Sequence, residues 1–468
     1  MAVVEEQFRE TTRFLSWAKD QLAIAGAAVM GCLEEKLRDA LRQDACRCLE
    51  ELLNDPAVNV PGDQTRPGES CHAGRVNTVD SLFGPLVLRR NYYSHRDRAG
   101  GRAPLDESLG VVEGCTPGLA RLMCRAGALE PFEDASQSLQ VYCGITIEGR
   151  RIQRLVQRLG PEFAHWNQSQ PPPARLPAGT VFYVEADGTG VPVRPEETVG
   201  REGKGEEGQA RTREIKVGVV FTQAPPPEPT SAQPRPGKKS QPLGRENPEG
   251  ESRPERTPGS TRYGTTTGNA QQFGQQLRNL ARQQGMGWAG LVVFLGDGAA
   301  WVWELARVWF PFAKLILDFY HAAEHVGLLT EILFGKDTPQ AKAHREVWVK
   351  ILKDEAQGVD QMIQRARAAM PRRGKACRQA RKALAYFETN RDKMRYWEYQ
   401  AQGLFIGSGV VEAGCKTVVG QRLKQSGMFW GLPGAHNILD IRCVMENGQF
   451  DQFWNQRPLA AQTIAMAA

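Results

Sequence analysis

The sequence predicts an α/β protein. Its core is a mixed sheet with flanking helices and an all-α insertion, and a mainly helical N-terminal region with a small β unit and a helix-turn-helix precedes it. Three observations carry that prediction. Two short apolar runs lead to an acid followed by glycine, residues 181–187 ending at Asp187-Gly188 and residues 291–295 ending in Gly296-Asp297-Gly298, the pattern of buried strands reaching a sheet rim. Helical periods alternate with these runs, the order of a sheet covered by helices. Residues 326–400 are helical in period almost throughout, an insertion between core elements.

Taken in order, residues 1–58 form a helical region, in which Phe14, Trp17, Leu22 and Ile24 give way to Leu33, Leu37, Leu41, Leu49, Leu52 and Leu53. Asn54 and Pro56 stop it, and the Gly/Pro-rich passage 60–74 is a joint. Residues 75–165 form a second region. It starts with strands over 75–79 and 85–93, turned at Phe83-Gly84-Pro85, and the β unit ends at Gly100-Gly101. Helical signals follow, and around Gly144 two helices outline a helix-turn-helix, with Thr146 as a cap. The second helix bears Arg150, Arg151, Arg154 and Arg158, a set that suits phosphates or base edges in a major groove. The same spacing fits a plain helical hairpin with a solvated arginine face, and both readings stand.

Pro171-Pro172-Pro173 marks the next boundary, and the core spans 178–325. Its first strand, 181–187, runs into a Gly188-Thr189-Gly190 turn; residues 191–194 pair back as a hairpin partner, and 213–222 supply a third strand. Residues 224–262 hold 10 Pro and 4 Gly with no aromatic and read as a flexible excursion. An amphipathic helix over 269–284, the strand 291–295, a Trp-rich helix over 299–309, the strand 313–317 and a helix from Tyr320 complete this part. Residues 401–455 return the last core helices, and 456–468 are a tail. Within the insertion, residues 365–398 carry 11 Lys/Arg against 3 acids, so the basic character is concentrated there. Such a run is ordinarily a solvated helix face, and it becomes a phosphate-contacting face beside a DNA-processing site.

Composition limits the function classes. The chain has 468 residues, of which 41% are hydrophobic, 24% charged and 8% aromatic, which excludes wholesale disorder and collagen-like character. Lys and Arg outnumber acids by 59 to 53, a surplus that permits nucleic-acid binding without arguing for it. The 10 cysteines are scattered, as reduced thiols in a cytosolic chain are. The longest weakly polar stretch, 22–33, is too short for a bilayer, and Glu5, Glu6 and Glu10 precede it where a signal peptide is basic. The expectation is a soluble, cytoplasmic protein with no membrane association.

Asp187, Asp297 and Glu412 carry the chemistry. Two end strands whose C-termini share a rim in a mostly parallel sheet, and the third sits in the first turn of a late helix able to cover that rim. Carboxylates converging without basic partners need cations between them, and hard oxygen ligands suit Mg²⁺ or Mn²⁺. Two such ions, about 3.5–4 Å apart, serve an in-line phosphoryl displacement. Lys416, Arg422 and Lys424 on the late helix can hold a scissile phosphate or line a salt-bridged surface. Trp301, Trp303, Trp309 and Trp430 fit either base stacking or, as is commoner at helical spacing, the core.

The phrases YVEADGTGVPVRPEETVGREGKG, ARTREIKVGVVFTQ, LGDGAAWVWELA, DFYHAAEH and IGSGVVEAGCKTVVGQRLKQSGMFW, in this order, resemble the DDE transposases of bacterial insertion sequences, in particular the ISKra group. The likeness covers about residues 75–455. It implies an RNase H-like core with Asp187, Asp297 and Glu412 as its metal-binding triad, and transposition of a mobile element's ends. Its partners would then be double-stranded DNA, both terminal inverted repeats and target, with a homo-oligomer assembled on the DNA of a bacterial cytoplasm. Two points depart from or complicate the family pattern. Tyr92-Tyr93 is followed by Ser94-His95-Arg96-Asp97 where relatives often carry a Cys-x-x-Cys zinc half-site, so zinc is not expected. His321-Ala322-Ala323-Glu324-His325 fits an inverted zinc-peptidase motif, a structural histidine, or an Asp318-x-x-His321 motif similar to that of related transposase groups. The last makes His321 part of the active site, with Asp318 and His325 as accessory groups. The rival function is a catalytically silent DNA-binding regulator derived from a transposase.

Overall fold

The computed structural model describes residues 8–25, 30–59, 64–97, 100–172, 175–203, 210–224 and 254–457. The chain divides into two compact units, Met1–Phe163 with Gln449–Ala468, and Ala164–Gly448. Most of the predicted excursion and of the predicted tail lies outside the described residues. No helix among the described residues is long and apolar enough to cross a membrane.

In the first unit, helices α1 (Arg9–Ala25) and α2 (Met30–Asn54) pack together. The buried Asp44 joins them, accepting the N–H groups of Glu10 (3.0 Å) and Thr11 (2.8 Å) and the Thr11 hydroxyl (2.7 Å). An acid there satisfies orphan donors at the start of α1. Strands β1 (Glu69–Asp80) and β2 (Pro85–His95) form the predicted hairpin, and β3 (Gly101–Arg102) pairs with β2. β1 begins inside the predicted joint. Val79, Leu86 and Leu88 bury one face of this sheet against Cys46, Leu49 and Leu53 of α2. After the short α3 (Pro104–Ser108) come α4 (Pro117–Leu129), α5 (Phe132–Cys143) and α6 (Gly149–Gln168). Gly144 ends α5 at φ 62°, a left-handed cap that favours glycine. Phe163 of α6 stacks on Phe453 at 3.6 Å, in a helix over 450–457.

The arginines of α6 are not one free basic face. Arg150 and Arg154 are exposed. Arg158 lies 3.5 Å from Glu162 on the same helix. Arg151, by contrast, folds back onto the β unit, where it pairs with Asp80 and donates to the Gly114 carbonyl (3.1 Å). That corrects its reading as a DNA contact: it clamps a helix to a strand end. Arg151→Ala is expected to destabilise this unit by about 2 kcal/mol, and Arg150→Ala by under about 0.5 kcal/mol. Urea unfolding of the two variants checks this, and equal effects would remove the clamp.

In the second unit, five strands lie in the order β6-β5-β4-β7-β8. β4 (Val181–Pro192), β5 (Thr212–Gln223) and β6 (Arg262–Thr266) are antiparallel neighbours, while β7 (Leu291–Gly296) and β8 (Lys314–Leu317) run parallel to β4. The expected turn at Gly188-Thr189-Gly190 does not form. β4 continues through it because β5 offers a partner at each position, Gly188↔Lys216, Thr189↔Ile215 and Gly190↔Glu214. Residues 191–192 therefore extend the strand and do not pair back. β6 was not anticipated; it falls between the Pro-rich passage and the next helix.

Helices α7 (Ala270–Gln283) and α8 (Ala300–Trp309) cover one face through Phe273, Leu277, Val302 and Leu305. Trp301, Trp303 and Trp309 pack against this cluster, so they belong to the core and not to a base-stacking surface. α9 (Phe319–Phe334), α10 (Pro339–Asp354), α11 (Gly358–Ala368), α12 (Lys375–Asn390) and α13 (Tyr396–Ala401) form the helical stretch expected over 326–400. α14 (Gly409–Gly414) then contacts β4 and β5. It passes through a π-helical segment, Cys415–Gly420, into α15 (Gln421–Leu423), and α16 (Leu432–Glu446) packs on β6.

Burial pushes the Asp440 carboxyl of α16 from 3.8 up to about 8. His436, 3.6 Å away, is itself pushed down by burial and supplies no counter-charge. The unfolded chain loses this proton near pH 4 and the folded chain keeps it to about pH 8, so stability falls as pH rises through that window. Asp440→Asn is therefore expected to gain on the parent as pH rises from about 5 to 8, by up to about 1.4 kcal/mol per unit. A difference in urea stability that does not change with pH would refute this.

Candidate active site

The site begins with register. The β4–β7 ladder ends on Ala186↔Gly296 and the β7–β8 ladder on Gly296↔Leu317. The next residues are Asp187, Asp297 and Asp318, so three acidic residues stand level across three parallel neighbours, just past the ends of β7 and β8 and within β4. Each is turned by a local hydrogen bond. Asp297 accepts the Ala299 N–H at 2.9 Å, where Gly298 at φ 100° swings the chain from strand to helix. Asp187 accepts its neighbour Gly188 N–H at 2.6 Å, and the Cys415 thiol donates to its other oxygen at 3.4 Å. Asp318 caps α9, accepting the His321 N–H at 2.9 Å.

Asp318, fully buried, also ties down the helix that carries Glu412. Its Oδ2 accepts both the Ser408 N–H (2.6 Å) and the Ser408 hydroxyl (2.5 Å). The same hydroxyl lies 3.4 Å from Glu412 Oε1, but its single proton goes to the shorter contact. Asp318, His321 and Glu412 thus bring ligand atoms within 4.8 Å of one another. Two residues before Asp187 on β4, Glu185 accepts the Val411 N–H at 2.8 Å and so also anchors α14. Burial pushes its carboxyl up to about 8, helped by Asp318 and Glu412, so it is neutral near pH 7.

The electrostatics are those of crowded acids. Burial raises the Asp187 carboxyl, and Asp297 adds to it. Burial raises Asp318 too, but hydrogen bonds from His321 and Ser408 outweigh it and hold the group ionised. The Asp318 carboxylate, 3.5 Å from the ring Nδ1, lifts His321 to about 9 against its own burial, and Asp297 contributes, so an imidazolium stands among the acids at neutral pH. His325, one turn on, is pushed down by burial and by His321. Burial and Asp187 raise the Cys415 thiol, which makes it a hydrogen-bond donor and not a nucleophile.

The donor set fits a hard divalent cation. Asp187, Asp297 and Glu412 keep uncommitted oxygen lone pairs, whereas Asp318 Oδ2 is saturated and its Oδ1 is engaged by His321. Asp318 is therefore a positioning group that orients its neighbours, as partners of metal ligands do. The predicted triad is not the converging group among the described residues: Asp187 and Asp297 are adjacent in register, whereas the ligand atoms of Glu412 gather with those of Asp318 and His321.

The basic candidates separate. Lys424 reaches Thr189 Oγ1 at 2.5 Å, beside Asp187 along β4, and Lys416 is exposed. Arg422 is buried, only 1% exposed, with its guanidinium 4.9 Å from the Trp430 ring centroid. It cannot meet DNA as predicted, and Trp430 is spent on that contact and on donating to the Leu423 carbonyl at 3.1 Å. In the insertion, Arg367 and Arg391 pair with Glu388 and Asp360, while Arg372, Arg373, Lys375, Arg378, Arg381 and Lys382 are exposed.

Sequence reasoning missed Ser408, Glu185 and Cys415. Ser408 had a signal, a hydroxyl residue between glycines just before a helix. Glu185 had one as well, an acid inside an otherwise apolar strand. Cys415 had none, because its contact depends on the π-helical turn.

Residues 280–454 match the family model of UPF0236, an uncharacterised protein family. The matched segment includes Asp297, Asp318, His321 and Glu412 but not Asp187. No curated protein matches the chain.

Proposed function

We propose that this chain is a DDE-type DNA transposase that cleaves and joins DNA at the ends of an insertion sequence. The observation that carries the reading is the row of Asp187, Asp297 and Asp318 across three parallel neighbours, with Glu412 on α14, whose first residue is preceded by Ser408 bound to Asp318. The strand order, with β4–β6 antiparallel and β7 and β8 added parallel beside β4, supports an RNase H-like core. The exposed basic residues of the insertion, with Lys416 and Lys424 beside the late helix, support contact with a DNA backbone. The sequential α4, α5 and α6, with Arg150 and Arg154 exposed, support a helix-turn-helix that reads the element's terminal repeats.

Asp187, Asp297 and Glu412 would hold the divalent cation, Mg²⁺ or Mn²⁺. Bound there, it lowers the pKa of a water or 3′-hydroxyl and stabilises charge on the leaving oxygen. The chain's own groups do the rest. Asp318 fixes the His321 backbone and the start of α14, so Glu412 and the imidazole keep their places. The His321 imidazolium offers an N–H donor and a positive charge to a phosphate oxygen.

The test is strand cleavage by the purified protein on DNA carrying the repeats that flank its reading frame, with Mg²⁺ or Mn²⁺. Nicks at the element ends are expected. Binding of that DNA with no nicking in either cation would overturn the reading in favour of a silent DNA-binding regulator.

A further inference from the structure

An exposed aromatic ring stands at the acid end of the sheet. Tyr320, in the first turn of α9, follows Asp318 by two residues and precedes His321, and it is 59% exposed. Side chains of a helix lean towards its N-terminus, so this ring tilts back to the end that Asp318 caps. Gly407 gives it its place. A Cβ added to Gly407 would lie 2.9 Å from the ring Cε2 and 4.0 Å from Asp318 Oδ2, so the exposed ring and the buried carboxylate flank the same point. Glycine there lets the ring lie against the backbone just before Ser408, and Phe319 stands edge-on to it at 5.6 Å. Trp288 and Phe312 are comparably exposed, but they precede β7 and β8 and so stand at the strand ends away from the acids. Tyr320 thus presents a flat apolar surface to solvent beside groups that are charged.

We propose that Tyr320 is a substrate-binding residue, whose ring stacks on an unpaired base of the DNA strand that the acids and their cation hold by its phosphate. The proposal rests on the transposase reading for the identity of the ligand. Its chemistry complements that of the rim. The acids, through a cation, and the His321 imidazolium recognise a phosphate, which every nucleotide carries alike. None of them offers a surface to the base, which lies one sugar away from that phosphate. A phenol ring does, and because every base has a π-face the contact tolerates any sequence. In an intact duplex both faces of a base are covered by its neighbours, so the ring selects a strand opened at the point of reaction.

The test is a cycle between the full-length protein and DNA, read by the anisotropy of fluorescein-labelled 20-mer duplexes in Ca²⁺. Both duplexes carry an element end from the repeats that flank the reading frame. In one, the three terminal pairs are mismatched so that their bases are unpaired; in the other, the same positions are abasic. Tyr320→Ala is expected to bind the mismatched DNA about tenfold more weakly than the parent, and the abasic DNA within about twofold of it. Tyr320→Phe, which keeps the ring, is expected to match the parent on both. Melting temperatures of the free proteins accompany the titrations, and because the ring is exposed Tyr320→Ala should melt close to the parent. If it melts lower, Tyr320→Leu, which keeps apolar bulk against Gly407 without a π-face, is read in its place with the same expectation. Equal effects on the two DNAs, or none on either, overturn the proposal. Tyr320→Phe weakened as far as Tyr320→Ala overturns it too, because the contact then belongs to the hydroxyl. So does a parent that binds neither DNA. A parent that nicks element ends in Mg²⁺ or Mn²⁺, with no base-dependent loss in Tyr320→Ala, leaves the catalytic reading standing and removes this one. Base-dependent loss with no nicking by the parent does the reverse.

Discussion

Asp297→Asn is expected to cut metal-dependent strand cleavage by at least about 10³-fold, about 4 kcal/mol of transition-state stabilisation, while leaving the chain folded. The two halves of that expectation have different causes. An amide keeps the oxygen that accepts the Ala299 N–H, so the turn at Gly298 survives. It loses the negative charge, and with it the main pull on a hard cation at the centre of the row. Relief of repulsion with Asp187, whose carboxyl Asp297 raises, should leave the melting temperature equal or higher. Single-turnover cleavage and a thermal melt on the same preparation give both numbers. A loss under about tenfold would mean that Asp297 is a turn former and nothing more.

Asp318→Ala has the largest expected effect on stability, a loss of about 3 kcal/mol. Three donors point at this fully buried carboxylate: the Ser408 N–H and hydroxyl and the His321 N–H. Alanine leaves the two backbone N–H groups without an acceptor where water does not reach, and the hydroxyl with only Glu412 Oε1 at 3.4 Å. The same change frees the start of α14, so cleavage should fall with stability. Ser408→Ala is the control that separates the effects. It removes one donor, leaves the carboxylate accepting two backbone N–H groups, and should cost about 1 kcal/mol while lowering cleavage by about 10- to 100-fold. Chemical denaturation and cleavage rates of the two variants check this. If Ser408→Ala matches Asp318→Ala in stability, the carboxylate does not hold the site through several contacts.

Much of the second unit was legible because its signals are local. The strands over 291–295 and 313–317, the helices over 269–284 and 299–309 and the helical stretch over 326–400 correspond to described elements within one or two residues. The long β4 was not legible. Two glycines and a threonine after an acid look like a turn, and only the ladder supplied by β5, across a stretch that includes the Pro-rich passage, keeps them extended. β6 was hidden for a related reason: five residues, Arg262–Thr266, have no period long enough to read, and their partner determines their state.

Charges were the other blind spot. Arg150 and Arg151 are adjacent and chemically identical in the sequence, yet one is solvated and the other is bound to Asp80. Arg422 sits two residues from Lys424, yet it is buried over Trp430 while the lysine reaches Thr189. A helix turns about 100° per residue, so neighbours face different surroundings, and tertiary packing decides which of them meets a partner.

By itself the sequence determined the identity of the elements and the acids at the ends of the apolar runs, because both follow from the period of hydrophobic residues along a short stretch of chain. Only the tertiary structure decided that Asp187, Asp297 and Asp318 stand side by side and that the buried Asp318 accepts donors from both Ser408 and His321. The physical reason is that register and burial are properties of pairs of segments distant in the chain, and one strand's residues carry no record of which neighbour they will meet.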